Sequence, residues 1–525
     1  PQPAQGERES ARSEAPPFLW KGRDEGRHAR WGVRASFRRP ALALLKFTMG
    51  YKEAVDYINS FINFEKIPKY QYASSFRLER MEAILEELGN PHKGLNAIHV
   101  AGSKGKGSTC VITAYILKEA GYKVGLYTSP HLLDFKERIR ILNNIGVKGE
   151  GWRVEGFEGM ISEEEFVELV EEVRPVAEKF REHKSFGKVS FFEIVTACAF
   201  LYFKKQKVDA VVLETGLGGR LDATNVVMPL ACGITNISLE HADKLGNSLA
   251  EIAVEKAGII KGKGWRVKGR GVVVSARQEK EAGDVIRKVC KEKNAKLYEA
   301  DRDIKYSIVS SDENSQVFDL EGPGYSYKNL ELNLIGMHQV ENAAISIGII
   351  ESLGDKFKIK ESDIRKGLKN AIWPGRLQAI SRNPYIILDG AHNSASISAL
   401  ISSIKKLFKY RKLISVFGIS SDKDVKGVSS MLGAVSDIMI LTRAKDNPRA
   451  KDTATLKANF KKPELMLEES SNADEAIEKA LKLADKEDLI LVTGSLFLVG
   501  DAMSYFKNAK VETLIHKTSH TRFVN

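Results

Sequence analysis

The feature that most constrains the fold of this chain is a short apolar strand that leads into a turn rich in glycine and lysine. The strand is predicted over Ala97–Val100, the turn covers 102–108, and a helical pattern follows over Thr109–Ala120. Glycines let the backbone turn tightly and point its N–H groups at an anion, and the helix adds its positive N-terminal end. Lys106 supplies a point charge, and Ser108 supplies a hydroxyl suited to a metal ion. The pattern predicts a phosphate-binding strand–loop–helix unit.

This loop departs from the strict eight-residue P-loop in two ways. Val100 occupies the position of its first glycine, and Gly107 separates Lys106 from Ser108. A flexible basic turn without a ligand is the alternative interpretation. The strand before the loop and the helix after it favour phosphate binding.

Length and composition set the class of protein. A chain of 525 residues exceeds one ordinary hydrophobic core and predicts at least two domains. Its apolar content of 43% and charged content of 28% are typical of a globular protein, and without a run of about eighteen apolar residues we expect no membrane span. The four cysteines (110, 198, 232, 290) are far apart and predict buried thiols in a reducing, cytoplasmic setting, with neither disulfides nor a zinc site.

The net charge of +12 suggests nucleic-acid binding, but its distribution argues against that class. Residues 1–48 hold ten basic and five acidic side chains, and the remaining excess lacks a basic helix or an aromatic-interleaved stripe. Anionic small-molecule substrates account for the balance equally well. We predict that 1–48 is a disordered leader or upstream extension before a start at Met49, because its acidic residues disfavour an organelle transit peptide.

Strand-like and helical runs alternate along two stretches, which predicts βαβ units and parallel sheets covered on both faces. The strands predicted in the first stretch are Ala97–Val100, Val124–Tyr127, Ala210–Leu213, Cys232–Asn236 and Val272–Ser275. Its predicted helices include Tyr51–Phe64, Thr109–Ala120, Glu163–Glu182, Phe191–Lys204, Leu249–Lys256 and Ala282–Lys293. Short antiparallel strands are predicted over 301–335, and helices over 340–353 and 361–370. The strands predicted in the second stretch are Tyr385–Leu388, Leu413–Phe417, Ile438–Leu441 and Leu489–Val492.

The predicted fold class is therefore α/β, with a P-loop-type central domain at 49–372 and a second, Rossmann-like α/β domain at 373–510. A tail follows at 511–525. Two segments, 143–159 and 262–271, share the sequence Gly-Trp-Arg-Val and are predicted as exposed loops without an assigned function.

A second group of candidate site residues follows other predicted strands. Glu214 ends the strand at Ala210–Leu213 and precedes a glycine-rich run, so it lies where α/β folds bind ligands and is a candidate Mg²⁺ ligand. By themselves, His241 after a strand and Lys256 near a helix end favour structural roles.

Seven motifs occur in one order along the chain, and together they are highly specific. They are His-Val-Ala-Gly-Ser-Lys-Gly-Lys-Gly-Ser (99–108), Tyr-Thr-Ser-Pro-His-Leu (127–132) with Glu-Arg-Ile-Arg (137–140), Glu-Thr-Gly-Leu-Gly-Gly-Arg-Leu-Asp-Ala-Thr-Asn (214–225), Glu-Lys-Ala-Gly-Ile-Ile-Lys (255–261), Met-His-Gln-Val-Glu-Asn-Ala-Ala (337–344), Pro-Gly-Arg (374–376) and Leu-Asp-Gly-Ala-His-Asn (388–393). From about 50 to 507 the chain resembles the folylpolyglutamate synthase and dihydrofolate synthase family of Mur-type ATP-dependent amide ligases.

The resemblance implies a role for each matching position. The residues implied to bind ATP are Gly105, Lys106, Gly107, Ser108, Asn342, Arg376, Asp389 and His392. One Mg²⁺ is implied at Ser129 and Glu214, and a second at Glu214, His241 and Lys256, the last as a carbamylated lysine. Lys106, Glu214, His241 and Lys256 are thereby the implied catalytic residues. Two departures stand out: most relatives have Asp in place of Glu240, and many have Thr-Asn in place of Ser103-Lys104.

The implied activity is ATP-dependent ligation of L-glutamate to a pteroate or folate carboxylate through an acyl phosphate. The family implies a monomer that acts on dihydropteroate, on reduced folates or on both, and a bifunctional enzyme is the preferred expectation. The two domains should close over the intermediate about a junction near 372–376. The alternatives are a monofunctional synthase, a cell-wall Mur ligase with a UDP-sugar substrate, and a non-catalytic nucleic-acid-binding NTPase.

Overall fold

The computed structural model describes residues 49–67, 69–144, 157–262, 271–445 and 447–509. The predicted leader at 1–48 and the tail at 511–525 lie outside the described residues, as do most of the two predicted loops at 143–159 and 262–271. Within the described part, no helix is both long enough and apolar enough to span a bilayer.

The larger sheet has seven strands. Their bounds are β1 Ala97–Ala101, β2 Val124–Tyr127, β3 Ile139–Leu142, β4 Ala210–Glu214, β5 Ala231–Ile234, β6 Val272–Ser275 and β7 Lys296–Glu299. Their order is β3-β2-β4-β1-β5-β6-β7, and all neighbours are parallel except the edge strand β3, which runs antiparallel to β2. The central strands β1 and β4 are buried along their whole length, as expected for a sheet covered on both faces.

Helices cover both faces of this sheet. They are α1 Tyr51–Asn59, α2 Tyr72–Ser75, α3 Leu78–Glu87, α4 Lys106–Glu119, α5 Glu163–Lys179, α6 Phe191–Lys205, α7 Ala242–Leu245, α8 Leu249–Ala257, α9 Lys280–Glu292, α10 Met337–Ser352 and α11 Glu361–Asn370. Successive strand side chains point to opposite faces, so Val212 packs in the core formed by α4, α10 and α11. Val211 and Leu213 pack in the core formed by α1, α5 and α6.

A small antiparallel sheet extends the first of these cores. It consists of β8 Lys305–Ser311, β9 Gln316–Gly322 and β10 Tyr325–Leu332, in the order β10-β9-β8. Phe318, Leu320 and Leu330 are buried against the same cluster as α4 and α10.

The second α/β half is built on a six-stranded sheet. Its strands are β11 Gln378–Arg382, β12 Tyr385–Leu388, β13 Leu413–Phe417, β14 Ile438–Leu441, β15 Met466–Glu469 and β16 Leu489–Thr493. Their order is β11-β12-β16-β13-β14-β15, and only the edge strand β11 is antiparallel to its neighbour. The helices are α12 Ser394–Leu407, α13 Val425–Val435, α14 Thr453–Lys457, α15 Ala473–Leu483 and α16 Leu496–Ala509.

The two mostly parallel sheets confirm the predicted α/β class, and each strand predicted in the two series overlaps an observed one. The boundary predicted at 372/373 stays a prediction. The short strands β3, β7, β11 and β15 were missed; each is an edge strand, and edge strands need no continuous apolar run.

Several predicted boundaries were wrong by two residues or more, and three of them show why: two moved for a tertiary reason and one for a local reason. The strand at Cys232–Asn236 ends at Ile234, because the Asn236 carbonyl turns to accept from Ser103 N (2.9 Å) in the phosphate loop. The helix at Tyr51–Phe64 ends at Asn59, after which Ile62 pairs with Ser190. The helix predicted from Thr109 begins at Lys106, inside the Gly-Lys-Gly sequence whose low helix propensity hid its start.

Candidate active site

A cavity of about 540 Å³ lies between the two halves. Its walls come from loops that follow strands β1, β2, β4 and β5 of the larger sheet and strands β12, β13, β14 and β16 of the smaller one. Each of these loops leaves the carboxyl end of a parallel strand, which is where open α/β sheets bind ligands. Both sheets therefore face one cavity with their ligand-binding edges.

The phosphate loop occupies one wall, and its glycines permit two close approaches. Gly102 has φ +151°, and a Cβ there would lie 1.8 Å from Thr235 Oγ1. Gly105 has φ +89°, and a Cβ there would lie 2.2 Å from Asn342 Oδ1. Helix α4 begins directly after Gly105, so its free N–H groups face the cavity. Only glycine fits either position.

Lys106 and Lys256 meet at one carbonyl. The ammonium of Lys256 donates to the Gly102 oxygen at 2.8 Å, and that of Lys106 donates to the same oxygen at 3.2 Å. Lys256 is 4% exposed, and burial together with the Lys106 charge lowers the pKa of its amine to about 7. Within the described residues, Lys256 forms no ion pair with a carboxylate. The structure thus brings together two predicted site residues that are 150 positions apart.

Glu214 and Ser129 also come together. Glu214 ends β4, is 5% exposed and accepts the backbone N–H of Ser129 at 3.1 Å. Burial raises the pKa of the Glu214 carboxyl, while the charges of Lys106 and Arg376 act in the opposite direction. Because the described residues give this carboxylate one hydrogen bond, its other oxygen lone pairs are available to a ligand in the cavity.

His241 lies at the start of α7 in the left-handed region, with φ +54°. Burial lowers the pKa of its imidazole to about 3, so the ring is neutral and its nitrogen lone pair is available to a cation. Ser129, Glu214, His241 and Lys256 all line the same cavity. Among the described residues there is no group of three or more His, Cys, Asp or Glu side chains arranged to hold a metal ion, and the predicted set has only one carboxylate and one imidazole.

Lys104 connects the two halves across the cavity. Its ammonium donates to Glu240 Oε1 at 2.7 Å and to His392 Nε2 at 3.2 Å. His392 Nδ1 lies 2.8 Å from the Gly390 carbonyl, which can only accept, so Nδ1 carries the proton and Nε2 is the acceptor. Lys104 therefore links a carboxylate of the larger half with an imidazole of the smaller half.

Asp389 holds its own loop in place. Its two oxygens accept the backbone N–H groups of Leu377 and Ala391, each at 2.8 Å. Arg376 donates to the Gly375 carbonyl at 3.1 Å, and burial lowers the pKa of its guanidinium. These side chains line the cavity opposite the phosphate loop.

Asn342 belongs to α10 and closes the cavity beside Gly105. Its amide donates to Gln339 Oε1 at 3.0 Å. Together with the preceding contacts, every residue predicted for the site lines this one cavity. The residues are Gly105, Lys106, Gly107, Ser108, Ser129, Glu214, His241, Lys256, Asn342, Arg376, Asp389 and His392.

Two cations in the wall of the smaller half were not predicted from the sequence. Lys423 and Arg449 both lie 3.2 Å from Asp422 Oδ2 and line the cavity. They follow strands β13 and β14, so the rule that ligands bind beyond the carboxyl ends of parallel strands could have found them. Trp373 was also missed; its ring lies 2.7 Å from where a Cβ of Gly107 would stand.

Comparison with known families defines the class. Residues 188–350 match the Mur ligase middle domain, and residues 375–496 match the Mur ligase glutamate ligase domain. The fold is thus that of a Mur-type ligase.

Similarity to individual relatives shows to which family of Mur-type ligases the chain belongs. The dihydrofolate synthase/folylpolyglutamate synthase of Bacillus subtilis (strain 168) is 35% identical over 438 residues, which cover 82% of this chain and 95% of that protein. The crystal structure of folylpolyglutamate synthase from Thermotoga maritima has a TM-score of 0.72 at 33% identity and covers 89% of this chain and 99% of its own. E. coli FolC in complex with DHPP and ADP has a TM-score of 0.74 at 28% identity, covering 88% and 99%. The chain belongs to the folylpolyglutamate synthase/dihydrofolate synthase family of amide-forming ligases.

Proposed function

We propose that this chain uses ATP to join L-glutamate to dihydropteroate and to reduced folates, as a bifunctional dihydrofolate synthase and folylpolyglutamate synthase. The observation that carries the proposal is the single cavity between the two sheets, where the phosphate loop faces Arg376, Asp389 and His392. A relative of this family has been crystallised with ADP and DHPP, a nucleotide and a second ligand.

ATP fits between the halves. The N–H groups at the start of α4 and the ammonium of Lys106 suit its phosphates, because both stabilise negative charge without moving. Arg376 lies on the opposite wall, together with Asn342 and Asp389. The nucleotide would thereby contact both halves and favour their closure about the predicted junction near 372–376.

The donor set suits Mg²⁺ in two places. Glu214 and the Ser129 hydroxyl would hold one ion, and Glu214, His241 and the carbamate oxygens of Lys256 would hold the second, since Mg²⁺ prefers oxygen ligands and takes few protein carboxylates. When bound, the ions neutralise charge on the transferring phosphoryl group and on the oxygens that it joins.

Carbamylation of Lys256 accounts for an otherwise unfavourable arrangement. Two lysine amines share the Gly102 carbonyl, and Lys256 has no described carboxylate partner. Reaction of the neutral amine with CO₂ forms an N–C bond and releases a proton, which replaces a buried ammonium with an anion. An anion beside Lys106 is attracted where an ammonium is repelled.

The two steps of the proposed reaction can be derived from the substrates and the residues of the cavity. An oxygen of the acceptor carboxylate attacks the γ-phosphorus of ATP, ADP leaves, and an acyl phosphate forms. The α-amine of glutamate attacks the acyl carbon, and the tetrahedral intermediate expels phosphate, which takes up the proton lost by the amine, and leaves an amide. Lys106 stabilises charge on the phosphoryl oxygens, and the closed cavity excludes water that would hydrolyse the acyl phosphate. We assign no general base, because the His392 ring already contacts Gly390 and Lys104 and His241 is a proposed metal ligand.

Lys423 and Arg449 suit the incoming glutamate. They share one carboxylate, Asp422, so the wall of the smaller half retains an excess of positive charge. Guanidinium and ammonium groups form charge-assisted hydrogen bonds with carboxylates. The glutamate carboxylates would bind there with the amine directed toward the acyl phosphate.

The experiment that tests this function is glutamate-dependent ADP release with Mg²⁺, using dihydropteroate and tetrahydrofolate in separate reactions. Turnover with both supports the bifunctional enzyme. Turnover with one acceptor replaces it with the corresponding monofunctional synthase. Absence of turnover with either acceptor would overturn the substrate assignment. The acceptor would then be a substrate of another Mur-type ligase. The monomeric state and the cytoplasmic location stay predictions.

A further inference from the structure

Lys244 is a nearly buried cation that the proposed reaction does not use. It lies in α7, one turn after His241, and its backbone N–H donates to the His241 carbonyl at 2.9 Å. Its side chain is 7% exposed. Within the described part of the chain its ammonium has no hydrogen bond, and its carboxylate neighbour, Asp243, lies 4.0 Å away with a side chain that is 64% exposed. A desolvated ammonium without a close partner requires a ligand or another compensating contact.

The charges around Lys244 indicate an anionic ligand. Asp422, Arg449 and Lys423, all on the opposite half, lie close enough to act on its charge. Asp422 favours the charge of Lys244, but it already pairs with both Lys423 and Arg449 at 3.2 Å, so three cations share it. Among these groups three cations, Lys244, Lys423 and Arg449, share the carboxylates Asp243 and Asp422, and a carboxylate ligand would compensate the remaining positive charge.

An aromatic cluster beside Lys244 narrows the kind of ligand. The ammonium lies 4.6 Å from the centre of the Tyr70 ring. Tyr70 and Phe64 are in contact (4.6 Å between ring centres), and Phe76 packs against Phe64 and Tyr72 (both 5.1 Å). The described part provides no hydrogen-bond partner for the buried Tyr72 hydroxyl.

The cluster also reaches the wall of the cavity. A Cβ at Gly218, which lines the cavity, would lie 2.5 Å from the Tyr72 hydroxyl. Lys244 therefore lies just behind the cavity wall, with aromatic rings on one side and the cavity-lining cations Lys423 and Arg449 of the smaller half on the other. A molecule that carries both an aromatic ring and a carboxylate matches these surroundings, whereas free glutamate has no ring to match them.

We propose that Lys244 binds the α-carboxylate of the glutamyl residue already present on a folate acceptor, and so favours folates over dihydropteroate. The inference rests on the proposed function. A folate acceptor carries two carboxylates on its terminal glutamyl residue: the γ-carboxylate reacts, and the α-carboxylate needs a cation a few bonds away. Dihydropteroate has no glutamyl residue and offers Lys244 nothing to bind. Lys244 is accordingly a specificity-determining residue placed one helical turn from the proposed metal ligand His241.

The test compares acceptors in the full-length enzyme and in Lys244→Met, which keeps most of the length of the side chain and removes its charge. The ratio of kcat/KM for tetrahydrofolate to that for dihydropteroate should fall about tenfold, the size of one charge-assisted hydrogen bond. Lys244→Arg should recover most of the ratio. Lys280→Met, at a lysine whose side chain is 92% exposed, is the matched control and should leave the ratio unchanged.

A second pair of acceptors isolates the carboxylate itself. Tetrahydrofolate and its α-amide differ only at the group that Lys244 is proposed to bind. The wild-type enzyme should prefer tetrahydrofolate about tenfold, and Lys244→Met should abolish that preference. If the enzyme turns over neither acceptor, the proposed function fails, and equilibrium binding of the same two compounds to wild type and Lys244→Met still tests Lys244.

Three results would overturn the inference. An equal loss with tetrahydrofolate and dihydropteroate, with a higher KM for glutamate, would place the incoming amino acid at Lys244. An unchanged ratio in Lys244→Met would leave the residue without a role in acceptor choice. A wild-type enzyme that neither binds nor uses tetrahydrofolate would have no glutamyl carboxylate for Lys244 to recognise.

Discussion

In both sheets the carboxyl ends of the parallel strands face the same cavity. The polar groups at these two edges differ in how completely they are hydrogen-bonded. In the larger sheet, Glu214 keeps one backbone hydrogen bond and Lys256 donates to a single carbonyl, so buried charges remain incompletely paired. In the smaller sheet, both oxygens of Asp389 accept backbone N–H groups, and the His392 ring is held from both nitrogens. The first edge is arranged to receive charged ligands, whereas in the second the polar groups of the Asp389–His392 loop are already hydrogen-bonded and the excess charge is confined to Lys423 and Arg449.

We therefore expect the edge of the larger sheet to take part in the chemistry and the loops at the edge of the smaller sheet to position the ligands. Unpaired buried charges are unstable in the absence of ligands and are therefore expected where phosphoryl groups and cations bind. Satisfied polar groups fix loop geometry and stabilise the fold. Substitutions in the larger sheet should therefore reduce turnover with little effect on stability, and substitutions in the smaller one should affect stability as well.

The largest expected effect is at Lys106. Lys106→Ala should reduce kcat by about 10³-fold, because it removes a preorganised charge at the transferring phosphoryl group. Glutamate-dependent ADP release measures the loss, and Glu214→Ala should behave similarly. Thermal unfolding should stay close to that of the wild type. Wild-type turnover in either variant would contradict the assignment of the site.

The next largest effect is expected when CO₂ is removed, because the activity is proposed to depend on a carbamate at Lys256. Burial lowers the pKa of this amine to about 7, so the neutral form that reacts with CO₂ predominates above pH 7 and is lost as the pH falls below it. In buffers freed of CO₂, activity should fall about tenfold or more, and bicarbonate should restore it above pH 7 but poorly below.

Two measurements control that experiment. Mass spectrometry under native conditions should detect the added CO₂ in the wild type and not in Lys256→Ala. Full activity after exhaustive removal of CO₂ would exclude a carbamate as a required ligand.

Asp389 provides the contrasting case. Asp389→Ala leaves the buried N–H groups of Leu377 and Ala391 without acceptors and should lower the free energy of unfolding by about 2 kcal/mol. Urea denaturation of the whole chain measures this, with Lys106→Ala as the reference for the larger half. If both variants lose equal stability, the proposed division between the two edges is wrong.

The smallest effect on activity is expected at Lys104, which connects the larger half with the smaller half across the cavity. Lys104→Met removes the ammonium between Glu240 and His392, and because this pair is partly exposed to water the loss should raise KM for ATP by about fivefold or less. Steady-state kinetics and small-angle scattering, with and without ATP, measure the change. A large fall in kcat with unchanged KM would instead place Lys104 among the reacting groups.

Much of the site could be predicted because its parts are local. The glycines at 102 and 105 and the residues after each buried strand follow from short sequence patterns, and the observed strands overlap those predicted. The family resemblance supplied roles for His241 and Lys256 that their own sequence neighbourhood did not. Lys244, Lys423 and Arg449 were not predicted, because an isolated cation in a charged loop is typical of a solvated surface.

The sequence by itself determined where the strands, the phosphate loop and the strand-end residues lie, since apolar runs and glycines act over a few residues. Only the tertiary structure decided which of them meet. The strand order places β1 between β4 and β5, which brings Lys106 beside Glu214 and directs the loop after β5 toward the cavity. Packing of the second half then brings His392 to Lys104, across 288 positions of sequence. These contacts depend on the crossover connections between strands and on the packing of the two sheets, which no local sequence pattern encodes.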